Sequence, residues 1–497
     1  MNTQTMMAAT ARTELTNPHP EGKVLDPLYA RVLVLQADGH TVVFVTIDVT
    51  AIGGRAISDG ILPDGGEELV PALREYLQQK WNIPAEGVVV NASHTHPAGQ
   101  LLCDDTEQLR RITVACNEAL GRLVPARIGF GKAKLPPVAM NRNLKLKEGK
   151  DYAIRHTNPT PADCRVEAVR PIDNEIGLIR VDRADGTPLA LVYNFGCHPL
   201  FGDSYGSLTA NFPGEISMTL EQLLGDGVTA FFLQGCAGDV IDRGFKDFLH
   251  PRDVKTPAKL IALQIIPAAA AIETTSEAII RCAVATLQLP RRTDITEKTT
   301  GLRRRQQELL EQLHYCPLNF KNFLLLLLHY RLEPDYPLTD AFQYLQADAD
   351  GNDGWREMDR LNRMNLEKYL RNIAAMEELS QIQDDLATLE KHQRLNAASG
   401  ETTIATEIQV IRINNAVLAT SAAELLTRIG LNLKKMSPFS STLVAGYTNG
   451  YLHYGPPAAL YDRGGYEVTE CLLGREWQQL FESAAAQLFK QVCDQTK

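Results

Sequence analysis

Long apolar runs are missing from this sequence. The longest, Phe323–Leu328, falls far short of the roughly 20 residues that a membrane-spanning helix requires, so no transmembrane segment is expected. A basic stretch followed by an apolar one is also missing from Met1–Arg12. Nothing there resembles a secretory signal, and the expected compartment is cytoplasmic. Positive charge is in short supply: the formal net charge of -10 repels nucleic acid and anionic headgroups, so no nucleic-acid partner is expected. The nine cysteines are scattered and include no Cys-x-x-Cys pair, which leaves neither a thiolate metal site nor a disulfide framework. Internal repeats and low-complexity tracts are absent too. What remains is ordinary globular usage, 44% apolar and 22% charged, in a chain of 497 residues, enough for two or three structural units or one α/β domain with insertions.

The pattern up to about residue 290 alternates short apolar runs, turn residues and helical spacing. Strands are expected at Ala30–Leu35, Val42–Ile47, Gly87–Asn91, Leu189–Phe195 and Thr229–Leu233, each apolar enough to be buried on both faces. From Thr293 to Ala398 the sequence turns charged and helix-forming. Leu366, Leu370, Ile373, Met376, Leu379, Ile382, Leu386 and Leu389 make one stripe on a long helix, to be met by Leu309, Leu310 and Leu313 in an antiparallel arrangement. The α/β rhythm resumes at Ile408–Ile413, Ala416–Thr420, a helix near Ala422–Lys435, and Ser441–Ala445. The expected class is therefore α/β: a mixed sheet flanked by helices, with a long helical insertion. Its parts are an arm at 1–24, a domain at 25–290 and 400–497, and an insertion at 291–399 that serves as a lid, joins subunits, or simply packs on the core.

Chemistry-bearing residues cluster where the strands run out. Val88–Val90 lead into Asn91-Ala-Ser-His-Thr-His-Pro97, and in extended chain His94 and His96 share a face, which suits a metal. The competing reading is a hydrogen-bonded histidine pair at a strand end. His198 follows the run Leu191–Phe195 in the same way, and ligands of open α/β sheets collect beyond the strands' carboxyl ends, so it is either a second ligand or a structural histidine. Asp239, in Gln234-Gly-Cys-Ala-Gly-Asp239, either orients a ligand histidine or closes a turn. Glu424, three residues after Ser421, is either a helix capping box or the carboxylate that joins two histidines in a catalytic zinc set. The tyrosine-rich stretch Ala445–Pro457 and Arg463-Gly-Gly-Tyr-Glu467 either line a pocket or are surface tyrosines packed on proline. Asp348–Gly354 lacks the glycine and glutamate of a calcium loop and is expected to connect helices.

Read in order, these pieces resemble the neutral (alkaline-type) ceramidase family. His94-Thr-His96 is similar to its His-Thr-His, Asn141-Arg142 to its Asn-Arg, and His198-Pro199 to its His-Pro. Gln234 with Gly238-Asp239-Val240 matches its Gln-x-x-x-Gly-Asp-Val, and Glu424 its zinc glutamate. Asn449-Gly-Tyr-Leu-His-Tyr454 and Tyr466-Glu467 match its Asn-x-Tyr-x-x-Tyr and Tyr-Glu. The resemblance spans about residues 25–290 and 400–480. It implies one zinc ion per chain on His94, His198, Glu424 and Tyr454, with His96, Arg142 and Tyr466 lining the substrate carbonyl and Asp239 in the catalytic loop.

Three departures accompany it. Ile241 and Asp242 stand where the family has serine and proline, Pro97-Ala98-Gly99 replaces Ser-Gly-Pro, and no counterpart of the family's C-terminal sandwich domain is expected. The expected activity is hydrolysis of an amide or related acyl bond of a small molecule other than ceramide by a metal-bound hydroxide, with His96 or Asp48 handling protons. A metal-dependent esterase or lactonase on a soluble substrate is the nearest alternative. A non-catalytic binding or scaffold protein that keeps the fold is the other, and a homo-oligomer joined through the helical insertion is the expected partner arrangement.

Overall fold

The computed structural model describes residues 5–20, 22–58, 64–96, 100–155, 158–202 and 207–494. The chain divides into two compact units, one made of Met1–His156, Thr160–Arg292 and Leu395–Lys497, the other of Thr157–Pro159 with Thr293–Arg394.

The first unit is built on an eight-stranded sheet: β1 (Met7–Glu14), β2 (Tyr29–Ala37), β3 (His40–Ile47), β4 (Val88–Ala92), β5 (Val124–Lys134), β6 (Glu175–Arg183), β7 (Pro188–Phe195) and β8 (Thr229–Gln234). Its order is β8-β7-β6-β5-β1-β2-β3-β4, parallel only at its two ends, where β7 pairs with β8 and β3 with β4. A four-stranded sheet of β9 (Ile280–Pro290), β10 (Thr403–Ile413), β11 (Ala416–Thr420) and β12 (Ser441–Ala445) follows in chain order.

Alternation along each strand decides the layering. Val32 and Val34 of β2 pack into a core with α1 (Leu69–Trp81) and α2 (Asp105–Leu120), while Leu33 and Leu35 point to the opposite face. There they meet Ile411 and Ile413 of β10, Leu418 of β11 and Leu443 of β12, so the two sheets pack face to face. Leu191 and Phe195 of β7 and Phe232 of β8 pack beneath α3 (Asn211–Leu224) and α4 (Lys255–Ala270). The outer face of the smaller sheet carries Val410, Val417 and Val444 against later helices, including Trp477 and Phe481. The result is four layers, helix, sheet, sheet, helix. Each fully buried Val or Leu contributes about 1.5 to 3 kcal/mol, which is why the inner strands read as continuous apolar runs.

Two expectations change here. Met7–Glu14 lies inside the large sheet between β5 and β2, not in an arm: Ala8 faces the inter-sheet core and Ala9 and Ala11 the helical side. The helix expected near Ala422–Lys435 starts only at Thr427, because Glu424–Leu425 instead forms a parallel bridge with Tyr454–Gly455.

In the second unit, α5 (Ile295–Gln312), α6 (Phe320–Leu332) and α7 (Ala341–Ala349) accompany α8 (Gly354–Ser399), most of whose length belongs there. Leu309 packs with Ala375, Ile382 and Leu386, and Arg305 pairs with Glu378 while Arg303 pairs with Glu390, an antiparallel match. Leu366, Ile382, Leu386 and Leu389 of the expected stripe are buried, whereas Leu370 and Met376 stay exposed. Asp359 accepts hydrogen bonds from Tyr330 and Tyr344, which ties α6 and α7 to α8. Asp348–Gly354 joins α7 to α8, as a connector should. Among the described residues no helix is long and apolar enough to cross a membrane.

Candidate metal centre

The ends of β4, β7 and β8 and the bridge at Glu424 converge on one buried point. Gln234, the last residue of β8, makes the convergence: its amide donates to the carbonyls of Ser93 and Cys197, each the residue just before a candidate ligand histidine. Glycine permits the close approach. A Cβ on Gly196 would lie 2.4 Å from the Cys236 carbonyl oxygen, and one on Gly238 would lie 2.6 Å from that of Glu424. Extended chain does not account for the His94–His96 pair, since β4 ends at Ala92 and His94 lies at φ +67, a conformation that side chains rarely adopt. Its amide donates to the Val49 carbonyl at 2.8 Å, which fixes that turn.

Backbone carbonyls set the histidine tautomers. His94 donates from Nδ1 to Thr50 O at 2.7 Å, and His198 from Nδ1 to Ala237 O at 2.7 Å. A carbonyl has no proton to give, so in both rings Nδ1 carries the hydrogen and Nε2 the lone pair. Both Nε2 atoms face one carboxylate oxygen, Glu424 Oε2, at 3.3 and 3.4 Å. His198 Nε2 is fully buried and has no hydrogen-bond partner. His96 joins the group with its Nε2 2.9 Å from His94 Nε2, and the ligand atoms of His94, His96 and His198 all lie within 4.8 Å of one another. Buried lone pairs turned toward one another require a proton or a cation between them. The donor set thus fits a divalent ion.

Charge preferences agree. Burial would raise Glu424, but positive charge at the His94 and His198 nitrogens it faces outweighs that and holds the carboxylate well below its usual range. Burial lowers His198 to about 4, with Arg142 and His94 adding to the effect and Glu424 opposing it. His96 lies well below its ordinary value through the packing around its ring and then its two histidine neighbours, although one edge of it remains exposed. Glu424 also accepts two phenolic hydrogen bonds, from Tyr447 at 3.2 Å and from Tyr451. The Tyr447 ring packs on His94 with centroids 4.1 Å apart.

Tyr454 is the register partner of Glu424, and its hydroxyl is hydrogen-bonded by Arg142. Burial raises that hydroxyl well above its usual value, and Arg142 offsets only part of the rise. Arg142 is itself held by Glu467 at 2.7 Å and by the Gly238 carbonyl at 2.6 Å. Its charge survives burial because Tyr454, Glu467 and Tyr466 outweigh the desolvation. The Tyr466 ring stands 5.3 Å from that of Tyr454, so Arg142, Tyr454 and Tyr466 form one wall beside the histidines.

Other expected residues have different work. Asp239 does not orient a histidine: its carboxylate accepts from Thr427 N and Oγ1 and from Asn141 Nδ2, while the carbonyls of Ala237 and Val240 around it hold His198. It stays close to the centre through its own carbonyl, which accepts from the Arg142 amide at 2.8 Å. Asp48 is engaged in a buried ion pair with Arg31 at 2.9 Å and accepts from Tyr29 N, which removes it from proton handling. Ser421 and Glu424 form no capping box, since Ser421 Oγ accepts from Ala423 N instead. Ile241 is buried on a short strand opposite Met140. Pro97-Ala98-Gly99 lies outside the described residues. Sequence reasoning missed Tyr447 and Thr50. Tyr447 lies at φ +52 in a loop with no periodicity to give it away, and Thr50 acts through its backbone.

Fold and centre together define a four-layer α/β protein with a buried histidine–carboxylate cluster at the strand ends, able to hold a cation. No family model matches the chain, and no curated protein matches it significantly in sequence. Among solved structures it is similar to the neutral ceramidase of Pseudomonas aeruginosa, with a TM-score of 0.59 at 16% identity over 98% of this chain and 75% of that one. It is also similar to a ceramidase complexed with C2, with a TM-score of 0.59 at 14% identity over 99% of this chain and 76% of the other. The chain has the neutral ceramidase fold.

Proposed function

We propose that this protein is a zinc-dependent hydrolase of amide bonds in small molecules, with His94, His198, Glu424 and Tyr454 holding the ion. The observation that carries this is the pair of Nε2 atoms, both with lone pairs set by carbonyl hydrogen bonds, at 3.3 and 3.4 Å from Glu424 Oε2. Ligand atoms about 2.0 to 2.1 Å from a tetrahedral zinc lie about 3.3 Å apart, which matches that spacing. The neutral ceramidase fold supports the amide reading.

When bound, zinc supplies Lewis acidity, polarising a carbonyl and bringing the pKa of its water to about 7. The chain's own residues do the rest. Arg142, fixed by Glu467, and Tyr466 line the wall beside the histidines and would stabilise the charge that develops on the carbonyl oxygen, and one good donor of this kind is worth about 3 to 4 kcal/mol. His96, with one edge in solvent and Nε2 beside His94, carries the proton from the attacking water to the departing nitrogen as the carbon–nitrogen bond breaks. Ile241 offers no nucleophile, so water attacks directly.

Ile241 also motivates the competing reading, a binding protein that keeps the fold. Metal content together with a screen of amides, esters and lactones decides between them. About one zinc per chain with turnover of an amide is the expected result. A metal-free protein that stays so when zinc is offered overturns the proposal.

A further inference from the structure

We infer that the substrate carries an anionic group, in its simplest form a carboxylate, and that Arg155 receives it. The inference rests on the amide-hydrolase reading of the site.

Arg155 is placed by the backbone beside the centre's cationic wall, since the Ile154 amide donates to the Arg142 carbonyl at 2.9 Å. Its guanidinium carbon lies 3.7 Å from the centroid of the Tyr466 ring, the ring that Arg142 approaches at 5.1 Å. Tyr466 is thus flanked by two guanidinium groups, on the side of the centre where Tyr454 and Arg142 stand.

The surrounding arginines are matched by acids. Arg142 has Glu467 at 2.7 Å, Arg170 has Asp151 at 2.6 Å, Arg165 has Glu148, and Arg463 lies 3.8 Å from Asp151. Arg155 differs. It is half-buried, and among the described residues it has neither a carboxylate at ion-pairing distance nor a hydrogen-bond acceptor, its contact being the face of Tyr466. Glu470, which caps the short helix that Tyr466 begins, is the acid whose charge acts on the Tyr466 hydroxyl.

A half-buried guanidinium that no carboxylate pairs keeps its N–H edge available to an incoming anion. Stacking uses the face of the guanidinium and leaves its edge, a planar fork of N–H donors that fits a carboxylate in bidentate fashion. Lysine would offer no such fork. A substrate whose acyl carbonyl lies at the histidine cluster reaches Arg155 along the Tyr454–Tyr466 wall, so an anion near the scissile amide would be read there.

The test compares hexanoylglycine with hexanoylglycinamide, which differ only in the carboxylate, as substrates of the zinc-loaded full-length protein. The wild type should favour hexanoylglycine. Arg155→Gln should lower its kcat/KM by about 10- to 100-fold, mainly through KM, and leave the carboxamide within about twofold. Arg155→Lys should restore part of the loss. A wild type that favours the carboxamide, or an R155Q variant that loses both substrates equally, overturns the inference.

If the wild type cleaves neither compound, the amide-hydrolase reading has failed, and calorimetric titration of hexanoylglycine reads the subsite separately. Binding to the wild type that R155Q loses, at unchanged melting temperature, supports it. Equal binding, or none, overturns it.

Discussion

Glu424 and Tyr454 face each other in register across a parallel bridge only two residues long. The carboxylate and the phenol therefore reach the centre as a pair, and a hydrogen bond from the Glu424 amide to the His453 carbonyl at 2.9 Å holds the pairing. Glu424→Gln keeps the shape and removes the charge that the two Nε2 atoms face. Metal content, measured by elemental analysis after zinc loading, should fall from about one per chain to below about a tenth. Full occupancy in the variant would remove Glu424 from the ligand set.

Tyr447 supports that carboxylate from behind His94. Tyr447→Phe keeps the ring against His94 and deletes the donor to Glu424 Oε2. Zinc affinity, read by competition with a chromogenic chelator, should weaken about 10- to 100-fold, the usual effect of losing a partner that orients a ligand. Unchanged affinity would show that Tyr451 alone holds the carboxylate.

Gln234 acts on the protein rather than on the reaction. Its side chain serves the carbonyls of Ser93 and Cys197 and accepts from the amides of Cys197 and Gly235, all buried. Gln234→Ala should cost at least about 3 kcal/mol, because several buried groups lose their partner together. Urea unfolding of the metal-free protein measures this, and a loss under about 1 kcal/mol would mean that water replaces the amide.

Asp242, beside Ile241, supplies a pH dependence. Burial lifts its carboxyl to about 6 from the ordinary 3.8, and Arg252 at 2.7 Å offsets only part of the rise. Between those values the native state keeps a proton that the unfolded chain has lost, so this group's contribution to stability falls as pH rises from about 4 to 6. A shift of that size amounts to about 3 kcal/mol. Asp242→Asn should abolish it: the stability gap between variant and wild type should shift by about that amount between pH 4 and pH 7, in favour of the variant at the higher pH. A gap that stays constant refutes the assignment.

The inner strands were legible because burial on both faces writes a continuous apolar run, as in Val42–Ile47 or Leu189–Phe195. Met7–Glu14 was not, since its core contacts are made by Ala8, Ala9 and Ala11, and alanine has little β preference. His94 and His198 could be found from their places after strands. The conformation around Glu424 could not, because Ser421-Ala-Ala-Glu424 satisfies the local rule for a helix start and only distant partners, His94, His198 and Tyr454, override it. Tyr447, Asn449 and His453 lie at φ between +52 and +58, and no periodicity predicts such a loop. Asp48 has the residue type for proton transfer, but its ion pair with Arg31 on the neighbouring strand depends on strand register and leaves no mark in the local sequence.

The convergence of lone pairs on Glu424 Oε2 has a mechanical side. His94, His198 and Glu424 belong to parts of the chain separated by roughly one hundred and two hundred residues, so an ion bound to all three acts as a cross-link that closes long loops in the folded chain. A ligand that binds only the native state adds about 1.4 kcal/mol for each tenfold excess over its dissociation constant. Stripping such an ion should therefore loosen both sheets of the first unit at once rather than fray one loop, and the chain's half-life in the cell would follow the supply of metal.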